Sequence, residues 1–506
     1  MNPCTPHENT IEREAKFSLP PWFDARDLAA ALAPYRTGLP HARRLHTMYY
    51  DSADRRLARW GISLRYRAGE GWTLKLPMRE SDPYAPSRLE YPFAGTDPTR
   101  PPNDAIQIVS GTLRGVSMIP VAELRTLRIA RSVNRCAGEA IAELVCDDVR
   151  FLREGRVLHR SRQIEIELAP SVDAVELDAL ARKLLHRTPA RPTTLTKDRF
   201  ASSEEELTRE TDVAPLQRRP CQSDVVRSAL APALEAFMRA DPHVRANSDH
   251  EWVHAARVAT RKLRASLKLY GPMLGGSWAT DARASLKRLS ELFGAVRDAD
   301  VLGERVLSLG TSLPRTEAVE VARITASIAT LRSAAFCSLQ TALGEKWYFE
   351  LLDRLLAAVH EAPPLAGKDR TVRPRTLVAR TMRRSWTHLN RAISRIGDEP
   401  SSAELHALRR RVKRSRYVAD ALTPLMRKRQ AHAQRRFVHR LARLQERLGA
   451  IHDSALDRTF LRSVEDADRF VVGELVGLET ARGRSLRTQW RATWREATYD
   501  RLRFWL

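Results

Sequence analysis

Between residues 9 and 200, apolar and polar positions alternate in short runs with the period of two that belongs to half-buried strands. The runs predict strands at Thr10–Phe17, Leu45–Tyr50, Ile62–Arg67, Trp72–Leu76, Arg88–Phe93, Arg128–Cys136, Glu139–Val149 and Gln163–Leu168. Gly69-Glu70-Gly71 is a hairpin signal between two of them. Helices are expected at Asp24–Leu32, with Asp24 as cap, and at Ala174–Leu185. So many alternating strands in under ~200 residues predict a closed antiparallel barrel, because closure removes the sheet edges. Residues 203–221 carry an acidic run followed by prolines and read as a linker. From 224 onward the apolar period is helical, broken at Pro363-Pro364 and Asp398-Glu399-Pro400.

The helical half repeats itself. Val253-His254-Ala255-Ala256-Arg257 through Arg264 matches Leu405-His406-Ala407-Leu408-Arg409 through Arg416 at an offset of 152. His254 meets His406, Arg257 meets Arg409, Arg261 meets Lys413, and Arg264 meets Arg416. These cations, with Lys268, fall on one helical stripe. Val253, Ala256, Leu263, Leu267 and Tyr270 form an adjacent apolar stripe; Leu405, Leu408, Val412, Ala419 and Leu422 are its counterpart. Further on, Gly294-Ala295-Val296-Arg297-Asp298 matches Gly449-Ala450-Ile451-His452-Asp453 at an offset of 155. A repeat of cationic positions, not only of apolar ones, points to a polyanion facing both copies. Lys262 and Arg414 stand beside the stripes.

Charge strengthens that reading. Residues 1–216 hold 32 Lys and Arg against 30 Asp and Glu, whereas 217–506 hold 53 against 31. Of the net +24, +22 therefore sits on the helical half, where it favours nucleic acid, polyphosphate or an anionic surface. Aromatics do not interleave with the arginine stripes as base stacking requires, which argues against nucleic acid. Five scattered cysteines show no CxxC spacing, so neither a zinc site nor a disulfide framework is expected, and a cytoplasmic location fits. No apolar stretch approaches ~18 residues, so no membrane span is expected.

In the strand half, Glu12, Glu14 and Lys16 share one face, as do Arg65 and Arg67, Thr73 and Lys75, Arg88 and Glu90, Glu143 and Asp147, and Glu165 and Glu167. Either these charges coat a sheet or they line a barrel. In the second case the carboxylates suit Mg²⁺ or Mn²⁺, and the cations suit phosphate oxygens.

These residues carry a family resemblance. Glu12-Arg13-Glu14-Ala15-Lys16 resembles the ExExK signature of the CYTH family of triphosphate tunnel metalloenzymes. Met48-Tyr49-Tyr50-Asp51, Leu64-Arg65-Tyr66-Arg67, Trp72 to Pro77, Arg88-Leu89-Glu90, the acidic strand Glu143–Asp147, Glu165-Ile166-Glu167 and Thr196-Lys197-Asp198-Arg199 follow in the family's order. The match covers roughly 8–202. Residues 222–500 resemble the CHAD family of helical domains with conserved histidines. The resemblance implies an α+β multidomain chain: an N-terminal eight-stranded antiparallel β-tunnel with helices, then an all-α domain of two pseudo-symmetric helical bundles. It implies metal binding by Glu12, Glu14, Glu165 and Glu167, and phosphate handling by Lys16, Arg65, Arg67, Lys75, Arg131 and Lys197, with Glu90, Glu143 and Asp147 as second choices. Arg128 and Arg135 compete with Arg131. The terminal motif departs from the family's SK-x-x-RG form, with Asp198 alone between Lys197 and Arg199.

The implied activity is metal-dependent hydrolysis of inorganic triphosphate or short polyphosphate. The helical half is expected to bind polyphosphate through His254, Arg257, Arg261, Lys262, Arg264, His406, Arg409, Lys413, Arg414 and Arg416. The alternative is a non-catalytic polyphosphate-binding protein associated with polyphosphate granules. The intact tunnel carboxylates favour the enzyme.

Overall fold

A computed structural model describes residues 9–20, 22–23, 28–78, 87–135, 138–153, 155–193, 197, 207–246, 249–464 and 467–497. The expected Asp24 cap, Asp198, Arg199 and linker residues 203–206 lie outside them. The chain divides into two compact units, one built mainly from 6–209 and the other from 210–506.

The first unit begins with β1 (Thr10–Glu12), β2 (Glu14–Leu19), α1 (Leu28–Ala31), β3 (Arg36–Thr37), β4 (His41–Asp51), α2 (Arg56–Arg59), β5 (Ser63–Arg67), β6 (Gly71–Pro77) and β7 (Arg88–Phe93). It continues with α3 (Asn103–Leu113), β8 (Ile119–Asn134), β9 (Ala140–Arg153), β10 (Arg156–Leu168), α4 (Ala174–Arg187) and β11 (Arg191–Pro192). The sheet runs β1-β7-β6-β5-β4-β8-β9-β10-β2-β11, with β3 beside β8. Only Arg13 separates β1 from β2. Glu12 lies opposite Arg88 of β7, while Glu14 lies opposite Glu167 of β10. One broken N-terminal strand thus bonds both edges and curls the sheet onto itself. Counted once, and leaving out the two-residue β3 and β11, it gives the eight strands of the expected tunnel.

Which face turns inward is decided by packing. Ala15, Phe17, Ile164, Ile166 and Leu144 are buried in one core with Leu28 of α1, Leu32 just after it, and Leu177, Leu180 and Leu184 of α4. The apolar face is therefore the outer wall, covered by helices, and the charged face lines the interior. The Gly69-Glu70-Gly71 signal is the β5–β6 hairpin, with both glycines at positive φ. Asp51 accepts the backbone N–H groups of Leu57 and Ala58 at 2.8 and 2.9 Å and so anchors α2.

The second unit is helical: α5 (Gln222–Ala246), α6 (His250–Tyr270), α7 (Trp278–Gly310), α8 (Ala318–Leu343), α9 (Lys346–His360), α10 (Pro374–Ser394), α11 (Ser402–Leu422), α12 (Lys428–Ser463) and α13 (Arg469–Ala497). The four helices α5–α8 correspond in order to α10–α13. α6 and α11 have the same length, and each follows a capping residue, Asp249 or Ser401, 152 positions apart. Both predicted apolar stripes are buried, from Val253 to Tyr270 and from Leu405 to Leu422. The repeats meet along α6 and α11, where the Tyr270 hydroxyl donates to the Ala421 carbonyl at 2.9 Å and Lys262 pairs with Asp420 at 3.0 Å. A second shared core joins α7 and α8 to α12 and α13 through Val306, Ile324, Leu461 and Leu475.

No helix among the described residues is long and apolar enough to cross a membrane. Among the described residues Cys146 and Cys221 are free, while Cys337 is disulfide-bonded although the cysteine spacing predicts no disulfide framework.

Candidate active site and anion-binding cavity

The tunnel interior encloses a cavity of about 230 Å³ lined by Glu12, Glu14, Lys16, Arg65, Arg67, Lys75, Glu90, Glu165, Glu167 and Lys197. Tyr49, Ser63, Glu70, Arg88 and Arg128 complete the lining. Strand register sets the ion pairs. Lys16 lies opposite Glu165, Lys75 opposite Glu90, and Arg128 opposite Asp147. Arg128 donates through Nε at 2.9 Å and Nη2 at 2.8 Å to the two oxygens of Asp147, and through Nη2 to Glu165 at 3.0 Å. Lys197 pairs with Asp147 and, at 3.0 Å, with Glu165. Lys75 reaches Glu12 at 2.7 Å and also pairs with Glu90.

Against these opposed pairs, Glu167 stands opposite a glutamate on each side, Glu14 of β2 and the exposed Glu143 of β9. Directly opposed like charges destabilise a sheet, more so when buried. Glu12 joins Glu14 and Glu167, and one oxygen from each of the three falls within 4.8 Å of the others. Two neighbouring glutamates of β10 are driven apart electrostatically. Burial raises the Glu165 carboxyl, but Lys197, Lys16 and Arg128 together hold it well below its ordinary value. Burial, Glu165 and Glu14 push Glu167 up to about 7. Arg128 reaches Glu167 only at 3.9 Å, and an all-oxygen trio suits a hard divalent ion.

The expected residues divide accordingly. Glu12, Glu14 and Glu167 come together, with Lys75 on Glu12 and Lys16 on Glu14, each at 2.7 Å, whereas Glu165 is paired with Lys197 and Arg128 at 3.0 Å and stands outside that trio. The assignment of Arg131 is corrected. Its side chain donates to the Gly38 carbonyl at 3.4 Å and does not line the cavity, because Arg128 and Arg131 differ in parity and lie on opposite faces of β8. Arg135 pairs with Glu139 and Glu176, also away from the interior. Glu143 is exposed, while Asp147 is buried. Arg88 and Tyr49 line the cavity beyond the expected set, Arg88 on the same strand face as Glu90.

In the helical unit a cavity of about 620 Å³ takes Arg257 and Arg261 from α6 and His406, Arg409 and Lys413 from α11. Arg410 and His452, absent from the expected set, also line it. Arg257 pairs with Asp298 at 3.1 Å and Arg409 with Asp453 at 3.5 Å, so the two Gly-Ala-x-x-Asp segments each steady the arginine of the matching helix. The Nε of Arg261 is buried without a hydrogen-bond partner. Burial, Arg261, Arg409, Arg257 and Arg264 bring Lys413 down to about 7. The other expected cations do not line this cavity. Lys262 is held by Asp420, and Arg416 donates to Gln445 at 3.0 Å. His254 is exposed, and Arg264 and Arg414 lie elsewhere on their helices.

A charge-lined antiparallel tunnel and a duplicated basic helical unit define the class of this chain. The CYTH domain model matches residues 10–200 and the CHAD domain model matches residues 228–462, so the chain carries a CYTH domain followed by a CHAD domain. Rv2226 of Mycobacterium tuberculosis strain H37Rv is 29% identical over 445 residues, covering 81% of this chain and 82% of that protein. Among solved structures, the CHAD domain of the plant Ricinus communis is 24% identical over 56% of this chain and 96% of its own, with a TM-score of 0.44. The Hippeastrum protein HpAC1, described as having a dominant triphosphatase activity, is 18% identical over 37% of this chain and 92% of its own, with a TM-score of 0.25.

Proposed function

We propose that the tunnel hydrolyses inorganic triphosphate or short polyphosphate with Mg²⁺ or Mn²⁺, and that the basic cavity of the helical domain binds inorganic polyphosphate. The observation that carries the first part is the meeting of buried Glu14 and half-buried Glu167 across paired strands, with Glu12 beside them. A divalent ion held by these three would neutralise phosphate charge and lower the pKa of a bound water. Around it, Lys16, Arg65, Arg67, Lys75, Arg88, Arg128 and Lys197 offer donors to phosphate oxygens. The Nε of Arg65 is buried without a partner, which costs roughly 1–3 kcal/mol until an acceptor arrives. Glu165 and Asp147 hold Arg128 and Lys197 in place, and Glu14 with Glu165 holds Lys16, so the cations are positioned before the substrate enters.

The same logic supports the second part. Arg261 presents a buried orphan donor in a cavity ringed by cations from both repeats. We place the protein in the cytoplasm, with polyphosphate granules as a site of association.

The test is phosphate release from inorganic triphosphate, ATP and long-chain polyphosphate with Mg²⁺ or Mn²⁺. Rapid release from triphosphate, lost in Glu12→Gln with folding retained, is expected. No release from any of the three, with polyphosphate still bound, would leave the protein a binding module. Polyphosphate affinity should fall steeply with salt.

A further inference from the structure

The cavity of the helical domain has two chemistries. Its cations come from α6 and α11, as Arg257, Arg261, Arg409 and Lys413. Much of its remaining lining, from α7, α8 and α12, is apolar: Leu302, Ile328, Leu331, Leu456 and Phe460. Ile328 is buried, but Leu331 on α8 and Leu456 on α12 remain 52% and 56% exposed. An inorganic phosphate chain satisfies the cations and gains nothing from these leucines. It must even hold its charges near surface that solvates them poorly. A cavity of about 620 Å³ has the size and mixed lining of a site for a small organic ligand.

We propose that this cavity binds phosphate esters whose phosphate chain ends in a compact apolar or aromatic group, nucleoside polyphosphates being the type, with the phosphates on Arg257, Arg261 and Arg409 and the organic group against Leu331, Leu456 and Phe460. The proposal rests on the anion-binding reading of the same cavity and specifies its ligand class. The Arg257–Asp298 and Arg409–Asp453 pairs keep guanidinium groups from both repeats oriented, so the phosphate end is fixed and the ester end selects.

The test uses the full chain with a chelator present, and measures displacement of a labelled long-chain polyphosphate by two charge-matched competitors, inorganic triphosphate and adenosine tetraphosphate. The ester is expected to displace the label at about one tenth of the inorganic concentration, the effect of roughly two buried methylenes. In Leu331→Ser/Leu456→Ser that advantage should shrink to about twofold or less, with the inorganic competitor unchanged. In Arg261→Gln/Arg409→Gln both competitors should weaken. Equal potency in the wild-type chain, or an advantage that survives the two serines, overturns the proposal while leaving polyphosphate binding intact. A label that does not bind at all overturns the anion-binding reading and this inference with it.

Discussion

The guanidinium of Arg409 lies across Gly449, close enough that a Cβ there would stand 3.2 Å from Nη2 and 3.4 Å from Nε. Four residues on, Asp453 takes up the same guanidinium. The bare glycine gives the arginine room, and the aspartate aims it. In the first repeat Arg257 has the same two neighbours, closer to its aspartate at 3.1 Å but farther from its glycine, with 3.9 Å to a Cβ at Gly294.

That difference separates two glycine substitutions. Both favour the helix by up to about 1 kcal/mol. Gly449→Ala must also move Arg409, so polyphosphate affinity should fall about fivefold, a partial loss of one charge-assisted contact, while thermal stability holds or rises. Gly294→Ala should leave affinity within about twofold, since 3.9 Å is ordinary contact. Titration of labelled polyphosphate with melting curves for both variants decides it; equal effects would mean the close approach has no functional weight.

Much of this was legible in the sequence because it is periodic. Alternation marked the strands that close the tunnel, and the offset of 152 marked α6 and α11 along with their buried stripes. Alternation failed where apolar residues are few or both faces are wet. The first half of β10, Arg156–Arg160, is exposed throughout, and the α3 segment Asn103–Leu113 follows prolines with no charge pattern to frame it. Cation choice inside the tunnel needed register. Glu165 and Glu167 look alike along the chain, and only pairing with β2 gives one a lysine and the other a glutamate. On α6 and α11 the stripe is wider than the cavity, so His254 and Arg264 share its spacing but not its lining.

Register also fixes the prediction for β8. Arg128→Lys keeps a charge but loses the bidentate grip on Asp147, and should lower kcat/KM for triphosphate by roughly 10²-fold. Arg131→Lys should change it by less than about twofold, since its side chain lies outside the cavity. Steady-state rates of the two variants give the comparison. Loss of activity in the Arg131 variant alone would reverse the assignment.

Glu167 makes metal binding dependent on pH. Its carboxyl, at about 7 without metal, must lose its proton to serve as a ligand. Below about pH 7 each metal bound should release up to one proton, and affinity should rise as pH increases through that value. The raised carboxyl also means the metal-free fold holds a proton that the unfolded chain has lost between its ordinary 4.5 and about 7. Stability from this group therefore falls as pH rises across that window. Calorimetry in buffers of different ionisation heat measures the proton. Glu167→Gln should release none and bind more weakly, and an unchanged proton count would remove Glu167 from the ligand set.

Lys413 carries the opposite sign. Its ammonium, brought down to about 7 by burial and by Arg261, Arg409, Arg257 and Arg264, is destabilised in the folded chain. The cost is fully present below about pH 7, where folded and unfolded lysines are both charged, and fades as pH rises toward the ordinary 10.5. Lys413→Met should therefore raise the melting temperature most in acid and neutral buffer, with the gain shrinking between about pH 7 and 10.5. A polyanion reverses the repulsion. At about pH 8.5 the wild-type chain should take up close to one proton as polyphosphate binds, and the methionine variant should take up much less while binding more weakly. Proton uptake is read from binding heats in two buffers. If the wild type takes up none, either Lys413 keeps its charge in the free protein or the phosphates do not reach it, and the melting series separates these: a stabilising methionine whose effect follows pH leaves only the second.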